Sequence, residues 1–354
     1  MDAGPEGGPE VEIAGRARWG RRPLVAPRGR HPVAMFLLRR GAAGLGTLLV
    51  ASVLIFLATN ALPGDVAQVV LGKYATPQTT AHLRKQLNLD KPLIVRYGDW
   101  VGGAIHGDLG QSAVELANGM PKAPVTGIIG APLRNSVILA VGAMLLLIPL
   151  ALLVGTAAAV RAGRPSDYAV SYGSLVVGSL PEFVVGTFLI AVFFSWLNVL
   201  PPVALVAPGT SPLANVKALV LPVLTLLSVS LAFSARQVRA GVIEVLGHDY
   251  VTMARLGGLP ERKVLRRYVL RNALAPSVQI FAQSLQYLFG GIIIVEALFS
   301  YPGIGRLLVE SVNERDVTLV SGITLILAAA YIAINIAADL LVVFLVPRLR
   351  TGVR

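Results

Sequence analysis

"DYVTMARLGGLPERKVLRRYVLRNALAP", Asp249 to Pro276, decides how this chain is read. The stretch carries six Lys and Arg against two acids, yet it lies between two of the most apolar segments of the sequence. Its residue order predicts two short helices around a turn. Asp249 opens the first, where negative charge suits a helix N-terminus. Gly257-Gly258 supply a left-handed stop after Leu256. Pro260 suits the first position of the second helix. There Arg262, Lys263, Arg266 and Arg267 interleave with Val264, Leu265, Tyr268 and Val269, and the helix runs into an apolar segment near Pro276. This is a charged elbow set between two membrane spans.

The composition agrees. Of 354 residues, 55% are hydrophobic and only 14% charged. A soluble domain carries about 25% charged residues, so the shortfall points to a polytopic membrane protein. The net charge of +12 would suggest nucleic acid in a soluble protein. Here it reflects basic cytoplasmic loops, and no nucleic-acid partner is expected. With no cysteine, disulfides and thiolate metal sites are excluded. His31, His82, His106 and His248 share no metal-ligand spacing, so no metal site is expected.

Six apolar stretches are expected to span the membrane: Gly41–Leu62, then segments within Asn135–Val160 and Tyr168–Leu200, then Ala218–Ala235, Ala273–Val295 and Val317–Val346. Residues 1–33 read as a disordered basic tail, 34–350 as the transmembrane domain, 63–133 as an extracytoplasmic loop and 236–271 as the cytoplasmic elbow region. With the N-terminus inside, the inner segments hold 21 of the 31 Lys and Arg, and the short outer loops are nearly free of them. Both termini are therefore expected in the cytoplasm. In the long loop, Thr76 and Pro77 mark a helix start, and Tyr97 and Trp100 suit a membrane–water interface.

Four polar residues of the fifth span, Gln279, Gln283, Gln286 and Tyr287, are spaced to share one helical face. Facing lipid would leave their polar groups unsatisfied, so they are candidates for a translocation path or for hydrogen bonds between helices. Glu182, after Pro181, and Asp339 are intramembrane carboxylates. Asp339 could reach Arg348 or Arg350 by snorkelling. No G-x-x-x-x-G-K-[ST] loop, HExxH or Ser/His/Asp set is present, and no catalytic residue is assigned. ATP-driven transport would need its ATPase on another chain.

At the elbow the sequence resembles the inner-membrane permeases of ATP-binding-cassette importers, in particular the first permease subunit of the dipeptide/oligopeptide (and nickel) uptake branch. Asp249-Tyr250, Ala254 and Gly258 occupy the acidic, alanine and glycine places of that family's "EAA…G" motif. Met253 stands at the first alanine place, and Gly257 where the branch often has a larger residue. Arg271 to Pro276 matches the branch's Arg-Asn-Ala-Leu-x-Pro ending. "PGD" (63–65), "GDLGQS" (107–112), "VEALFSYPGIGRLL" (295–308), "ERD" (314–316) and "DLLVVFLVPRLR" (339–350) follow the family's order along the chain.

The resemblance implies an all-α, six-helix type I importer permease in a bacterial cell membrane. Its implied partners are a second homologous permease, two ATPase subunits and an extracytoplasmic solute-binding protein, with membrane lipids around them. ATP and magnesium would bind the ATPases, leaving this chain without a cofactor. The elbow would be the coupling helix that docks on an ATPase, through Asp249, Tyr250, Ala254, Arg255, Gly257 and Gly258. Peptide is the implied substrate, with nickel chelate and glutathione as alternatives. An ion-coupled secondary transporter using Glu182 and Asp339, or a non-transporting scaffold, are the rival readings.

Overall fold

The computed structural model describes residues 32–61, 64–207 and 209–345, all helices and connections with no strand among them. The first helix, α1 (Pro32–Asn60), begins nine residues before the expected span and takes Arg39 and Arg40 into the helix. The expected tail otherwise lies outside the described residues. Leu38, Leu45, Leu49 and Leu54 are exposed along α1. Such an apolar outer surface on a long helix suits lipid.

The long loop folds into a helical cap. Asp65 caps α2 (Val66–Leu71) by accepting the Ala67 N–H at 3.0 Å, and takes Arg84 of α3 (Pro77–Gln86) at 2.5 Å. Thr76 and Thr79 bond reciprocally at the start of α3, so the expected cap is present as a capping box. α4 (Leu93–Ile105) lays Tyr97 and Trp100 against Phe56 of α1, and the Tyr97 and Ser52 hydroxyls lie 2.9 Å apart. α5 (Ala113–Ala117) closes a small core of Ala67, Leu83 and Leu116.

α6 (Val125–Val160) is 36 residues long and continuous through Pro132 and Pro149. At 1.5 Å per residue it reaches about 54 Å, well past a bilayer core of about 30 Å. Its first nine residues, 125–133, expected in the loop, project beyond the expected span. The third span is broken: α7 (Pro165–Gly178) and α8 (Glu182–Ile190), which continues as a wider π-helical turn over Ala191–Trp196, meet at 104°. Pro181 lacks an N–H and restricts Leu180 before it, which explains the break there. Among the described residues, five helices are long and apolar enough to cross a membrane, or six if this bent pair counts as one.

α9 (Val216–Leu246) is the central helix, packed on α6, α7, α8 and α12. It runs eleven residues past the expected end of the fourth span. The elbow contains α10 (Asp249–Leu256) and α11 (Glu261–Lys263), and a π-helical segment, Val264–Leu270, leads without interruption into α12 (Arg271–Leu298). α13 (Ile304–Asn313) and α14 (Val317–Leu345) follow, and α14 packs on α1 and α12.

Two fully buried carboxylates hold the loop end together. Glu296 of α12 accepts from the Ser136 hydroxyl of α6 at 2.5 Å and from the Gly305 N–H at 2.7 Å. The Ser136 oxygen also accepts from the Ile304 N–H, and Asn135 donates to the Pro302 carbonyl, both at 2.8 Å. The chain after α12 is thereby folded back against α6. A Cβ on Gly303 would lie 2.1 Å from the Glu296 carboxyl, so glycine is required where the carboxylate passes. Asp316 accepts from the Ser112 hydroxyl and from the N–H groups of Ala113, Val114 and Leu319, and so caps α5 and α14 together.

Candidate functional site

The elbow is built from the inside out. Val251 and Ala254 of α10 turn inward and join Val245, Val264 and Val269 in one core with the end of α9 and the returning helix. Ala254 is only 9% exposed. Its small side chain shapes the elbow from within, and the outward surface belongs to other residues. Asp249, Tyr250, Arg255, Gly257 and Gly258 are exposed. Beside them stand Met253 and Leu256, which the sequence reading did not select, with Met253 65% exposed. Tyr250, Met253 and Leu256 are three apolar side chains on an eight-residue helix, a concentration that marks contact surfaces.

α10 ends in a full Schellman motif. The Gly258 N–H donates to the Arg255 carbonyl at 3.0 Å and the Leu259 N–H to the Ala254 carbonyl at 3.3 Å. Gly258 has φ +73°, whereas Gly257 keeps φ −72°, so the left-handed stop is one residue and not the expected pair. Arg255 makes a two-pronged bond to Glu261 at 2.7 and 3.2 Å, pinning α10 to α11. Its guanidinium holds the Glu261 carboxyl below the usual carboxylate range. Pro260 sits at the cap of α11, one position before the expected place. The stop, the ion pair and the shared core join α10 to the helix that becomes α12.

Along α12 the polar residues divide between faces. Ser284 bonds to Ser234 of α9 at 2.8 Å on the packed side. Gln279, Gln283 and Tyr287 are exposed, and Gln286 is half-buried. No side-chain hydrogen bond forms from any of the three glutamines among the described residues. Gln283 and Tyr287, with Ser230, Phe233 and Arg236 of α9, line a cavity of about 180 Å³ that Gln279 and Gln286 do not reach. Glu182, half-buried at the start of α8, faces the Tyr287 hydroxyl and lies against Gly291 one turn along α12. The break at Pro181 therefore brings Glu182 to the polar face.

Asp339 is placed differently from the expectation. It pairs with Arg40 of α1 at 2.6 Å. Arg348 and Arg350, the expected partners, lie outside the described residues. The early start of α1 puts Arg40 within reach, so this carboxylate joins α1 to α14 and stands apart from the polar face. Asp167 of α7 is likewise satisfied, by the Arg239 guanidinium at 2.5 and 2.7 Å and the Gly163 N–H at 2.9 Å.

Residues 134–351 match the family described as binding-protein-dependent transport system inner membrane component. Residues 33–129 match the N-terminal part of the membrane component of such systems. The chain is 32% identical over 314 residues to a protein of Brucella abortus named as a peptide transport system permease, covering 89% of this chain and 98% of that one. It is 30% identical over 318 residues to a protein of Sinorhizobium fredii named as a peptide ABC transporter permease, covering 90% and 100%. It is 34% identical over 316 residues to a glutathione transport system permease of Shigella flexneri, covering 89% and 98%. The chain belongs to this family of inner membrane components: it is a permease subunit of an ATP-binding-cassette importer, and ATP hydrolysis falls to a separate subunit.

Proposed function

We propose that this permease carries peptides, glutathione among them, and forms half of the path beside a second homologous permease subunit. The observation that carries the reading is the direct connection of α10, with Tyr250, Met253 and Leu256 exposed, to the polar face of α12, whose glutamines make no side-chain hydrogen bond among the described residues. In this reading both termini face the cytoplasm and the α2–α5 cap faces the solute-binding protein. Two ATPase subunits bind ATP and magnesium below. One of them receives α10 through Asp249, Tyr250, Arg255, Gly257 and Gly258, with Met253 and Leu256 adding apolar contact. Ala254 supports that surface from beneath.

The mechanism then needs two states and two biasing ligands. Closure of the ATPases moves α10, and the continuous helix from Glu261 passes the displacement into α12. Gln279, Gln283 and Tyr287 change their exposure as the two permeases rock, and the substrate crosses between them. Named relatives support the substrate class, since two are peptide permeases and one a glutathione permease. The test is the reconstituted complex with its binding protein, offered trialanine, glutathione or a nickel chelate. Uptake and ATP hydrolysis stimulated by trialanine or glutathione support the reading. Stimulation by the nickel chelate alone overturns it.

A further inference from the structure

Arg236 and Arg239 lie one turn apart on α9 and have opposite surroundings. Arg239 is saturated by Asp167, which is buried. Arg236 has no carboxylate within salt-bridge distance among the described residues, and its Nε is buried without a hydrogen-bond partner. A buried guanidinium N–H left without a partner is costly, and such a group is satisfied when a ligand supplies the acceptor. Arg236 lines the cavity beside α12. Ser230, only 2% exposed, lines the same cavity, and its buried hydroxyl has no hydrogen-bond partner among the described residues. The amide of Gln283 and the phenol of Tyr287 complete the polar wall.

We propose that this cavity is a carboxylate-binding subsite on the translocation path, with Arg236 as the specificity-determining residue. The inference rests on the peptide reading above and deepens it. A planar guanidinium with free N–H groups matches a carboxylate in two-pronged geometry, and a buried hydroxyl adds a further donor. Peptides and glutathione present such a group, and their amides do not. The subsite would hold the acid end of the substrate while Glu182, facing Tyr287 at the next turn, lies where the substrate's ammonium passes. A carboxylate of the second permease is the competing source. The cavity beside Arg236 favours the substrate, because a fixed protein contact would fill it.

The test uses the complete reconstituted complex with its binding protein, comparing Arg236→Gln and Arg236→Lys with wild type. Uptake of trialanine and of trialanine amide is measured for each. The binding protein's own preference is common to all complexes and cancels in the variant-to-wild-type ratio. We expect R236Q to lower trialanine uptake about tenfold or more and the amide less than twofold, with R236K nearer to wild type. A second arm uses Arg236→Cys: a cation-bearing thiol reagent should restore trialanine uptake, and an anionic one should not. Equal losses for acid and amide would assign Arg236 to the partner subunit or to folding and overturn the subsite. Unchanged uptake of both probes would overturn it equally. A wild-type complex that takes up neither probe strikes the peptide reading itself, and the inference falls with it.

Discussion

Ser112 donates its hydroxyl hydrogen to the buried carboxylate of Asp316, 204 residues later in the chain. The same carboxylate receives three backbone N–H groups from the starts of α5 and α14. Two short sequence matches, "GDLGQS" and "ERD", are thus two halves of one clamp that ties the cap to the last span. Asp316→Ala strands several buried donors, each costing about 1–3 kcal/mol. Thermal unfolding in detergent should show a large loss, with Ser112→Ala milder at about 1–2 kcal/mol. The double variant should fall short of the sum, because both changes break one network.

Gly258 holds the left-handed position of the Schellman motif at φ +73°. A Cβ there meets nothing within 4 Å, so substitution acts through backbone strain and not through a clash. Gly258→Val should cost about 1–2 kcal/mol locally and shift α10 against α11. Gly258→Asn should be milder, since Asn tolerates that region. In reconstituted complexes we expect ATP hydrolysis to continue in Gly258→Val while uptake falls. Uptake equal to wild type would contradict the role given to the stop.

Met253 and Leu256 carry no load within this chain, because both point outward. Met253→Glu and Leu256→Glu should leave the unfolding free energy of the isolated subunit unchanged within about 0.5 kcal/mol. Both should reduce co-purification of the ATPase. Val251→Glu is the control: it points into the elbow core and should lower stability.

The Arg40–Asp339 pair joins α1 to α14. Arg40→Gln alone leaves a carboxylate unpaired, and Arg40→Gln with Asp339→Asn removes the charge as well. The double variant should recover uptake to within about twofold of wild type and show no new dependence on the proton gradient. A requirement for a charged Asp339 in transport would instead assign it an ion-coupling role.

The local features were legible because their causes are local. The ends of α10 follow from Asp249 and the glycine turn, the start of α3 from Thr76-Pro77, and the polar stripe from helical spacing. What stayed hidden depends on tertiary partners. Glu296 and Asp316 read as ordinary motif letters until Ser136 and Ser112 come back to meet them across the fold. The length of α6 exceeds the expected segment within Asn135–Val160, because the helix continues through Pro132 and Arg134. The helix α9 runs past the expected Ala218–Ala235 through Arg236 and Arg239, and Asp167 on another helix supplies the counter-charge for Arg239. Ala254 had the right spacing for the family motif, and only the packing reveals that it faces inward.

The central claim is that α10 is the surface on which an ATPase acts. The chain contains no cysteine, so a single cysteine can be placed without background. The decisive measurement is thiol crosslinking in the assembled complex from Met253→Cys, with Ala254→Cys as the inward-facing neighbour. The account predicts a crosslink to the ATPase subunit from position 253, little from 254, and a yield that changes when ATP is bound. Absence of any ATPase crosslink from position 253, with the thiol equally reactive to water-soluble reagents in the complex and in the isolated subunit, would contradict it.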